Sequence, residues 1–206
     1  MSELLGEMRP ACAHLPAIPD SAIVGSDPSE LKLAIRAQRR GIGTIIQSPA
    51  SADLIEGVRA HPYPIFPDDR GYFLEVARIG LEPVQHFDSA TTQVSAALSY
   101  PGTIKAFHYH RQQTDCWVPV KGMLQVALAD LRPDSPTFGQ RNTLYVGQLR
   151  PWKILIPPGV AHGYKVIGPE PAMLVYLTNR FYNPADEGRI GHDDLGINYD
   201  WELQHK

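Results

Sequence analysis

The sequence is poor in cysteine, in long apolar runs and in charge of one sign. Only two of its 206 residues are cysteines, Cys12 and Cys116, and their spacing fits neither a disulfide framework nor a zinc ribbon. No apolar run approaches the roughly 18 residues that a membrane-spanning helix needs. The formal net charge of −3 provides no basic surface for nucleic acid. We therefore expect no membrane span and no nucleic-acid partner, and we interpret Cys116 as a small core residue.

The first part of the chain differs in character from the rest. Residues 1–20 carry early acids and no long apolar stretch, so they do not read as a signal peptide, and we expect a cytoplasmic location. The stretch "DPSELKLAIRAQRRG", residues 27–41, predicts one helix, followed by a short strand in "GIGTIIQSPASAD". We therefore divide the chain into an N-terminal extension with one helix, residues 1–52, and a main domain, residues 53–206.

The main domain has the pattern of an all-β fold. Short runs of β-branched and aromatic residues alternate with Gly and Pro turns, and no helical stretch long enough for a βαβ unit separates them. The predicted strands are GYFLEVAR, TTQVSAALS, TIKAFHYH, CWVPVKG, MLQVALADLR, NTLYVGQL, KILIPPG, HGYKVIG and AMLVYLTNR. The 19 prolines lie mostly at strand ends and turns. This pattern predicts an antiparallel sandwich or barrel.

One segment has the spacing of a metal site. His108 and His110 lie two positions apart, Asp115 follows, and glycines frame the segment, as in the first cupin motif, which usually has Glu in place of Asp. Residues i and i+2 of a strand share a face, so both histidines can point into a barrel. "PPGVAH" adds His162, and three imidazoles with a carboxylate suit Fe, Mn, Ni, Cu or Zn. The same residues can also be a polar barrel lining without a metal.

Five motifs that follow one another along the chain give it a more specific resemblance to one family. They are DDRGYFLE, GTIKAFHYH, VALADLRPDSPTFGQ, IPPGVAHGY and YLTNRFYNPADE. Together they make residues 53–201 resemble the dTDP-4-dehydrorhamnose 3,5-epimerase family of cupins. The resemblance implies a double-stranded β-helix, the cupin jelly roll. It also implies a homodimer in which each site is partly built by the neighbouring subunit, a nucleotide-sugar substrate and no required cofactor.

The resemblance implies three catalytic residues. His108 falls on the general base, Asp194 on the acid that pairs with it, and Tyr176 on the tyrosine that protonates the sugar from the opposite face. The chemistry suits these residue types, because a hydrogen beside a 4-keto group is acidic and a neutral imidazole can remove it. Inversion of C3, C5 or both then requires a second proton donor on the other face. Further residues match positions of the family's substrate pocket: Arg70, Phe73, Glu75, Gln93, Lys105, His162 and Glu187.

The departures from the family gather at the reacting end of the pocket. Lys105 replaces the family's Arg, His110 replaces a Gln, and Asp115 replaces the Lys that helps to hold the charge on the 4-keto oxygen. The last two substitutions restore the metal-cupin motif, so an alternative is a metal-dependent oxygenase or isomerase with ligands His108, His110, Asp115 and His162. In that alternative a ligated His108 cannot serve as the base. A further alternative is a family member that binds a nucleotide sugar without turnover.

Overall fold

The computed structural model describes residues 38–204, and every regular element in that range is a β-strand. The strands are β1 (Thr44–Ile45), β2 (Arg59–Pro62), β3 (Ile65–Asp68), β4 (Gly71–Leu74), β5 (Gln93–Ser99), β6 (Ile104–His110), β7 (Asp115–Lys121), β8 (Met123–Asp130), β9 (Arg141–Gly147), β10 (Trp152–Ile156), β11 (Val160–Ile167), β12 (Ala172–Thr178) and β13 (Glu187–Arg189). Within this range no helix is long and apolar enough to cross a membrane. The helix predicted for residues 27–41 lies almost wholly outside the described residues.

The strands form two large sheets and one hairpin. The first sheet has the order β1-β9-β8-β11-β6-β13, the second has the order β2-β10-β7-β12-β5, and β3 pairs with β4 alone. All nine predicted strands and the short strand after the N-terminal region are confirmed, as is the jelly-roll class. Strands β2, β3 and β13 were not predicted from the sequence. Their segments, RAHP, IFPD and EGR, contain proline, glycine or charged residues in place of an apolar run.

The main core lies between the two sheets. Strand β8 shows how the sequence builds it: Leu124, Val126 and Leu128 are fully buried and belong to this core. Trp117, Ile154 and other residues of the second sheet complete it. Alternate residues of a strand face opposite sides, so one face of each sheet contributes its side chains to this core.

The outer faces of both sheets are also covered over much of their area. On the first sheet, Phe107 and Tyr109 pack under a C-terminal segment that contributes Tyr199 and Trp201. On the second sheet, a cluster with Val84 and Phe87 encloses Cys116. Burial raises the pKa of the Cys116 thiol to about 12, so the predicted role as an inert core residue is confirmed.

The chain passes from one sheet to the other at Gly122. This residue separates β7 from β8, has a φ of +69°, and leaves no space for a side chain. A Cβ placed there would lie 2.8 Å from Cα of Ala172 and from the carbonyl oxygen of Pro171. Gly is therefore required for both its backbone conformation and its small size. At the other end of β7, the connection after β6 also crosses between the sheets and brings Asp115 opposite the histidines of the first sheet.

Candidate active site

The candidate active site lies on the inner face of the barrel, where β6 runs between β11 and β13. His108 on β6 is in register with His162 on β11 and with Arg189 on β13, and His110 is in register with Glu187. A turn ties the end of β6 to the start of β11. The N–H of Gly159, in the Pro-Pro-Gly turn before β11, donates to the carbonyl oxygen of His110 at 2.8 Å.

The first feature of the site is an imidazole–carboxylate pair. His108 Nδ1 lies 2.7 Å from Oε1 of Glu187, which also accepts a hydrogen bond from Nε of Arg189 at 2.8 Å. Burial alone would raise the pKa of Glu187, but the hydrogen bonds from His108 and Arg189 lower it below its ordinary value. An ionised carboxylate can only accept, so Nδ1 carries the proton and Nε2 of a neutral His108 keeps its lone pair.

The exposure of this pair suits proton transfer. The side chain of His108 is 37% exposed, whereas that of Glu187 is 9% exposed. The imidazole can therefore meet a ligand in the barrel while its carboxylate partner stays shielded behind it. This arrangement fixes the tautomer and stabilises a positive charge on the ring.

The second feature is a buried cluster of His110, Asp115 and His162. Nε2 of His162 lies 3.6 Å from Oδ2 of Asp115, and Nε2 of His110 lies 3.8 Å from Oδ1. Two neutral donors hold the carboxylate, Nε2 of Gln113 at 2.7 Å and Nε1 of Trp117 at 3.2 Å. Among the residues the structure describes, this is the group of three side chains that could hold a metal ion.

The hydrogen bonds of the two histidines in the cluster show which ring nitrogen of each carries a lone pair. His162 Nδ1 donates to the carbonyl oxygen of Val160 at 2.9 Å, and burial lowers the pKa of His162 to about 4, so its Nε2 carries a lone pair. His110 Nε2 accepts from Nε2 of Gln113 at 3.1 Å, and its Nδ1 is buried without a hydrogen-bond partner. The cluster is therefore rich in acceptors that face one another.

The structure does not gather the four predicted ligands into one group. His110, Asp115 and His162 come together, but His108 bonds to Glu187 instead. The spacing of His108 and His110 correctly predicted that both lie on one face of β6. It could not show that β13 places a carboxylate beside His108. The four-ligand interpretation is replaced by a three-residue cluster beside a separate pair.

Two further residues assigned by resemblance lie on other parts of the chain. Oδ1 of Asp194, expected beside His108, accepts backbone N–H groups of Gly196 and Ile197 at 2.9 and 3.1 Å and so holds a turn. Tyr176 lies half-buried on β12, in register with Ser95 and Trp117, and packs against the main core. It therefore projects from the sheet opposite the one that carries His108.

The expected substrate contacts fall into an outer and an inner set. Arg70 is 83% exposed at the turn of the β3–β4 hairpin and pairs with Asp68, and Phe73 on the same hairpin is 67% exposed. Glu75, just after β4, accepts a hydrogen bond from Arg78. The outer set thus lies on an exposed hairpin of this subunit.

The inner set lies on the sheets. Gln93 on β5 donates to Oγ of Ser95 at 3.1 Å and accepts the N–H of Tyr182 at 3.0 Å. Lys105 is exposed at the start of β6. Sequence reasoning missed Gln113, Trp117 and Arg189 as neighbours of the site. Trp117 had a usable signal, because it lies two positions after Asp115 on one strand and therefore shares its face.

The sequence of this chain is similar to that of a known family and of individual proteins. The profile of the family described as dTDP-4-dehydrorhamnose 3,5-epimerase matches residues 53–206. The spore coat polysaccharide biosynthesis protein SpsL of Bacillus subtilis is 43% identical over 155 residues, which are 74% of this chain and 100% of SpsL. The probable low-salt glycan biosynthesis epimerase Agl13 of Haloferax volcanii is 37% identical, over 73% of this chain and 96% of that protein.

Solved structures show the same fold. The dTDP sugar isomerase of Desulfovibrio desulfuricans G20 superposes with a TM-score of 0.66 at 24% identity, over 73% of this chain and 94% of that one. An epimerase from Legionella pneumophila, solved in complex with dTDP-4-keto-L-rhamnose, has a TM-score of 0.63 at 25% identity and covers 80% of this chain and 85% of its own.

Proposed function

Because this chain belongs to the dTDP-4-dehydrorhamnose 3,5-epimerase family, we propose that it is an isomerase that inverts C3, C5 or both of a dTDP-4-keto-6-deoxy sugar. The observation that carries the proposal is the hydrogen bond between His108 and Glu187 on the inner face of the barrel. It supplies an accessible imidazole whose Nδ1 is held by a carboxylate and whose Nε2 faces the barrel, which is what removal of a proton beside a ketone requires.

The proposed reaction is a proton exchange with no change of oxidation state. Nε2 of His108 removes the hydrogen beside the 4-keto group, and the bonding electrons pass into an enolate. Glu187 stabilises the imidazolium that forms. The phenol of Tyr176 then delivers a proton to the same carbon from the opposite face. His108 and Tyr176 project from different sheets, which supports attack from two sides of the sugar ring. This scheme requires no cofactor.

Glu187 takes over, in this proposal, the pairing role that the resemblance assigned to Asp194. Its oxygen is 2.7 Å from the imidazole, whereas the Asp194 carboxylate accepts the N–H groups of the turn at Gly196. The hydrogen bonds that Asp194 Oδ1 accepts from the N–H groups of Gly196 and Ile197 fix the turn at the start of the C-terminal segment. In the metal-dependent oxygenase alternative, the ligand atoms that lie together belong to His110, Asp115 and His162, and His108 is not in that group.

The exposed β3–β4 hairpin belongs to the same proposal. Arg70 and Phe73 protrude from this subunit, although the resemblance places them in the nucleotide-sugar pocket. We infer a cytoplasmic homodimer in which each hairpin reaches into the partner's site. A guanidinium then binds the diphosphate and an aromatic ring contacts the sugar nucleotide.

Deuterium exchange tests the proposed activity. The protein is incubated in D2O with a dTDP-4-keto-6-deoxy sugar, and deuterium at C3 and C5 is followed by NMR together with the configuration of the product. We expect incorporation at one or both carbons with inversion. Binding of dTDP without any exchange would contradict the proposal and support the non-catalytic alternative.

A further inference from the structure

We propose that His110, Asp115 and His162 form a site for a divalent transition metal that leaves His108 free. One ligand atom from each residue lies within 4.8 Å of the others. Two imidazoles and one carboxylate are a donor set that Fe, Mn, Ni, Cu and Zn accept, with positions left for water or a substrate oxygen. The inference concerns the binding of the ion, and it holds independently of the reaction that the barrel catalyses.

The spacing of the ligand atoms is close to that of a loaded site. With metal–ligand bonds of about 2.1 Å, two ligand atoms of a tetrahedral site lie about 3.4 Å apart. The carboxylate oxygens of Asp115 lie 3.6 Å from Nε2 of His162 and 3.8 Å from Nε2 of His110. These two pairs need to close by only a few tenths of an ångström, and Gln113 Nε2, which now donates to both His110 and Asp115, must release them. These separations are also too long for direct hydrogen bonds between the three residues.

The protonation pattern of the cluster also favours a cation. Nδ1 of His162 donates to a backbone carbonyl, which is the outer contact that metal-bound histidines usually make, and its Nε2 lone pair is directed at Asp115. The amide of Gln113 donates to Nε2 of His110, so this nitrogen also carries a lone pair. The Gln113 amide lies between His110 and Asp115, but the lone pair on Nε2 of His162 and the Asp115 carboxylate face each other directly at 3.6 Å, which is unfavourable unless a cation or a shared proton lies between them.

Burial makes this convergence costly. The side chains of His110, Asp115 and His162 are 10%, 5% and 4% exposed. Among the described residues, the basic side chains within 4.0 Å of the Asp115 carboxylate are these two histidines, and its hydrogen bonds come from the neutral donors Gln113 and Trp117.

The site is separate from the base but adjacent to it. His108 and His110 lie two positions apart on β6, and the first bonds to Glu187 while the second faces Asp115. Because the three ligand atoms that lie together do not include one from His108, a metal held by them leaves the Nε2 lone pair of His108 free. If the proposed epimerase function holds, a bound cation supplies positive charge close to the reacting end of the pocket. This charge would compensate for the lysine that Asp115 replaces in the family pattern.

Metal binding can be measured directly. The full chain is purified without chelator or a histidine tag, and its metal content is determined by plasma mass spectrometry before and after dialysis against EDTA. The stripped protein is then titrated with Zn²⁺ by calorimetry and with Co²⁺ by visible absorption. We expect about one ion per chain and cobalt bands typical of nitrogen and oxygen ligands. A stripped protein that binds neither ion overturns the proposal, whatever the result of the exchange assay.

Matched variants locate the ion. Asp115→Asn and His110→Gln should each weaken Zn²⁺ binding by at least about tenfold. His86→Gln, which removes an exposed histidine elsewhere, should leave binding unchanged. Circular dichroism establishes that each variant is folded. If a variant does not fold, the wild-type cobalt spectrum still reports whether imidazole nitrogens are ligands. Equal binding by the wild type and Asp115→Asn would show that the ion binds elsewhere and would overturn the proposed site.

Discussion

Glu187 on β13 places its Oε1 2.7 Å from Nδ1 of His108 on β6. The contact depends on the pairing of a three-residue strand with the edge of the first sheet. Because Nδ1 is engaged, the ring presents Nε2 to the barrel interior, and the imidazole cannot turn without losing a charge-assisted hydrogen bond.

Glu187→Gln tests the importance of this pair. The amide cannot stabilise the imidazolium, so we expect kcat for deuterium exchange to fall roughly 100-fold or more, with a smaller change in KM. The pH profile of kcat/KM should shift as well, because the base loses its carboxylate. Glu170→Gln, at an exposed position after β11, is the matched control and should behave like the wild type. Equal rates for both variants would remove Glu187 from the mechanism.

Tyr176→Phe separates proton removal from inversion. Without the phenol, His108 can still remove a proton and return a deuteron to the same face. We therefore expect deuterium incorporation with retained configuration, and loss of inverted product by roughly 100-fold. NMR of the recovered sugar measures both quantities in one sample. Normal inversion by this variant would show that another group is the acid.

Mixed dimers test the contribution of the exposed hairpin. His108→Ala and Arg70→Ala should each be nearly inactive alone. If Arg70 serves the partner's site, their heterodimer contains one complete site. Random mixing then restores about one quarter of the wild-type activity, since half of the dimers are mixed and each has one working site. Light scattering checks the dimer, and activity no higher than the sum of the separate variants would place Arg70 in its own subunit's site.

The stability of the fold should fall in acid because of Asp130. Burial alone would raise the pKa of this carboxyl, but hydrogen bonds from Arg132, Ser135 and Thr137 lower it below its ordinary value. A depressed pKa in the folded state adds stability above the ordinary value near 3.8, and this stability is lost as the pH falls through the folded pKa. Denaturant unfolding between pH 7 and pH 3 measures the slope.

Asp130→Asn should lower the free energy of unfolding by about 3 kcal/mol at pH 7, because it leaves the Arg132 guanidinium without its buried partner. The variant should also flatten the acid slope. Asp134→Asn, an exposed neighbour in the same loop, provides the control and should change neither quantity. A slope that persists in Asp130→Asn would assign the acid sensitivity to other carboxylates.

Gly122→Ala tests the crossover between the sheets. Both Gly122 and Gly102 have a positive φ, of +69° and +78°, but only at Gly122 would a Cβ meet backbone atoms. We expect Gly102→Ala to lower the free energy of unfolding by about 1 kcal/mol, from backbone strain alone. Gly122→Ala should cost at least about 2 kcal/mol more, because the clash adds to the strain. Equal losses would show that the turn relaxes easily.

The sequence predicts most of the β architecture because apolar and β-branched residues dominate the long strands. Strand β8 is a run of this kind, with one face in the main core and Ala127 and Ala129 on the other face under the C-terminal segment. β13 was not predictable, since Glu187–Arg189 is a strand only through its pairing with β6. Local propensity carries no information about such a tertiary contact.

The site was predictable in its residues but not in their pairing. Strand alternation correctly placed His108 and His110 on one face. The carboxylate that each ring contacts depends on the register of β13 and on where the connection after β6 places Asp115. Neither of these follows from the spacing of the two histidines in the sequence. Glu187 was therefore recognised as a site residue but not as the partner of His108.

The hydrogen bond from Gly159 to the carbonyl oxygen of His110 joins two parts of the chain that are far apart in sequence. An inserted or deleted residue in the turn before β11 would break this bond and move β11 by one position against β8. His162 would then point out of the barrel, because a one-residue slip reverses every side chain of a strand. At this turn, loop length is constrained as tightly as residue identity, and natural length variation should be confined to other loops.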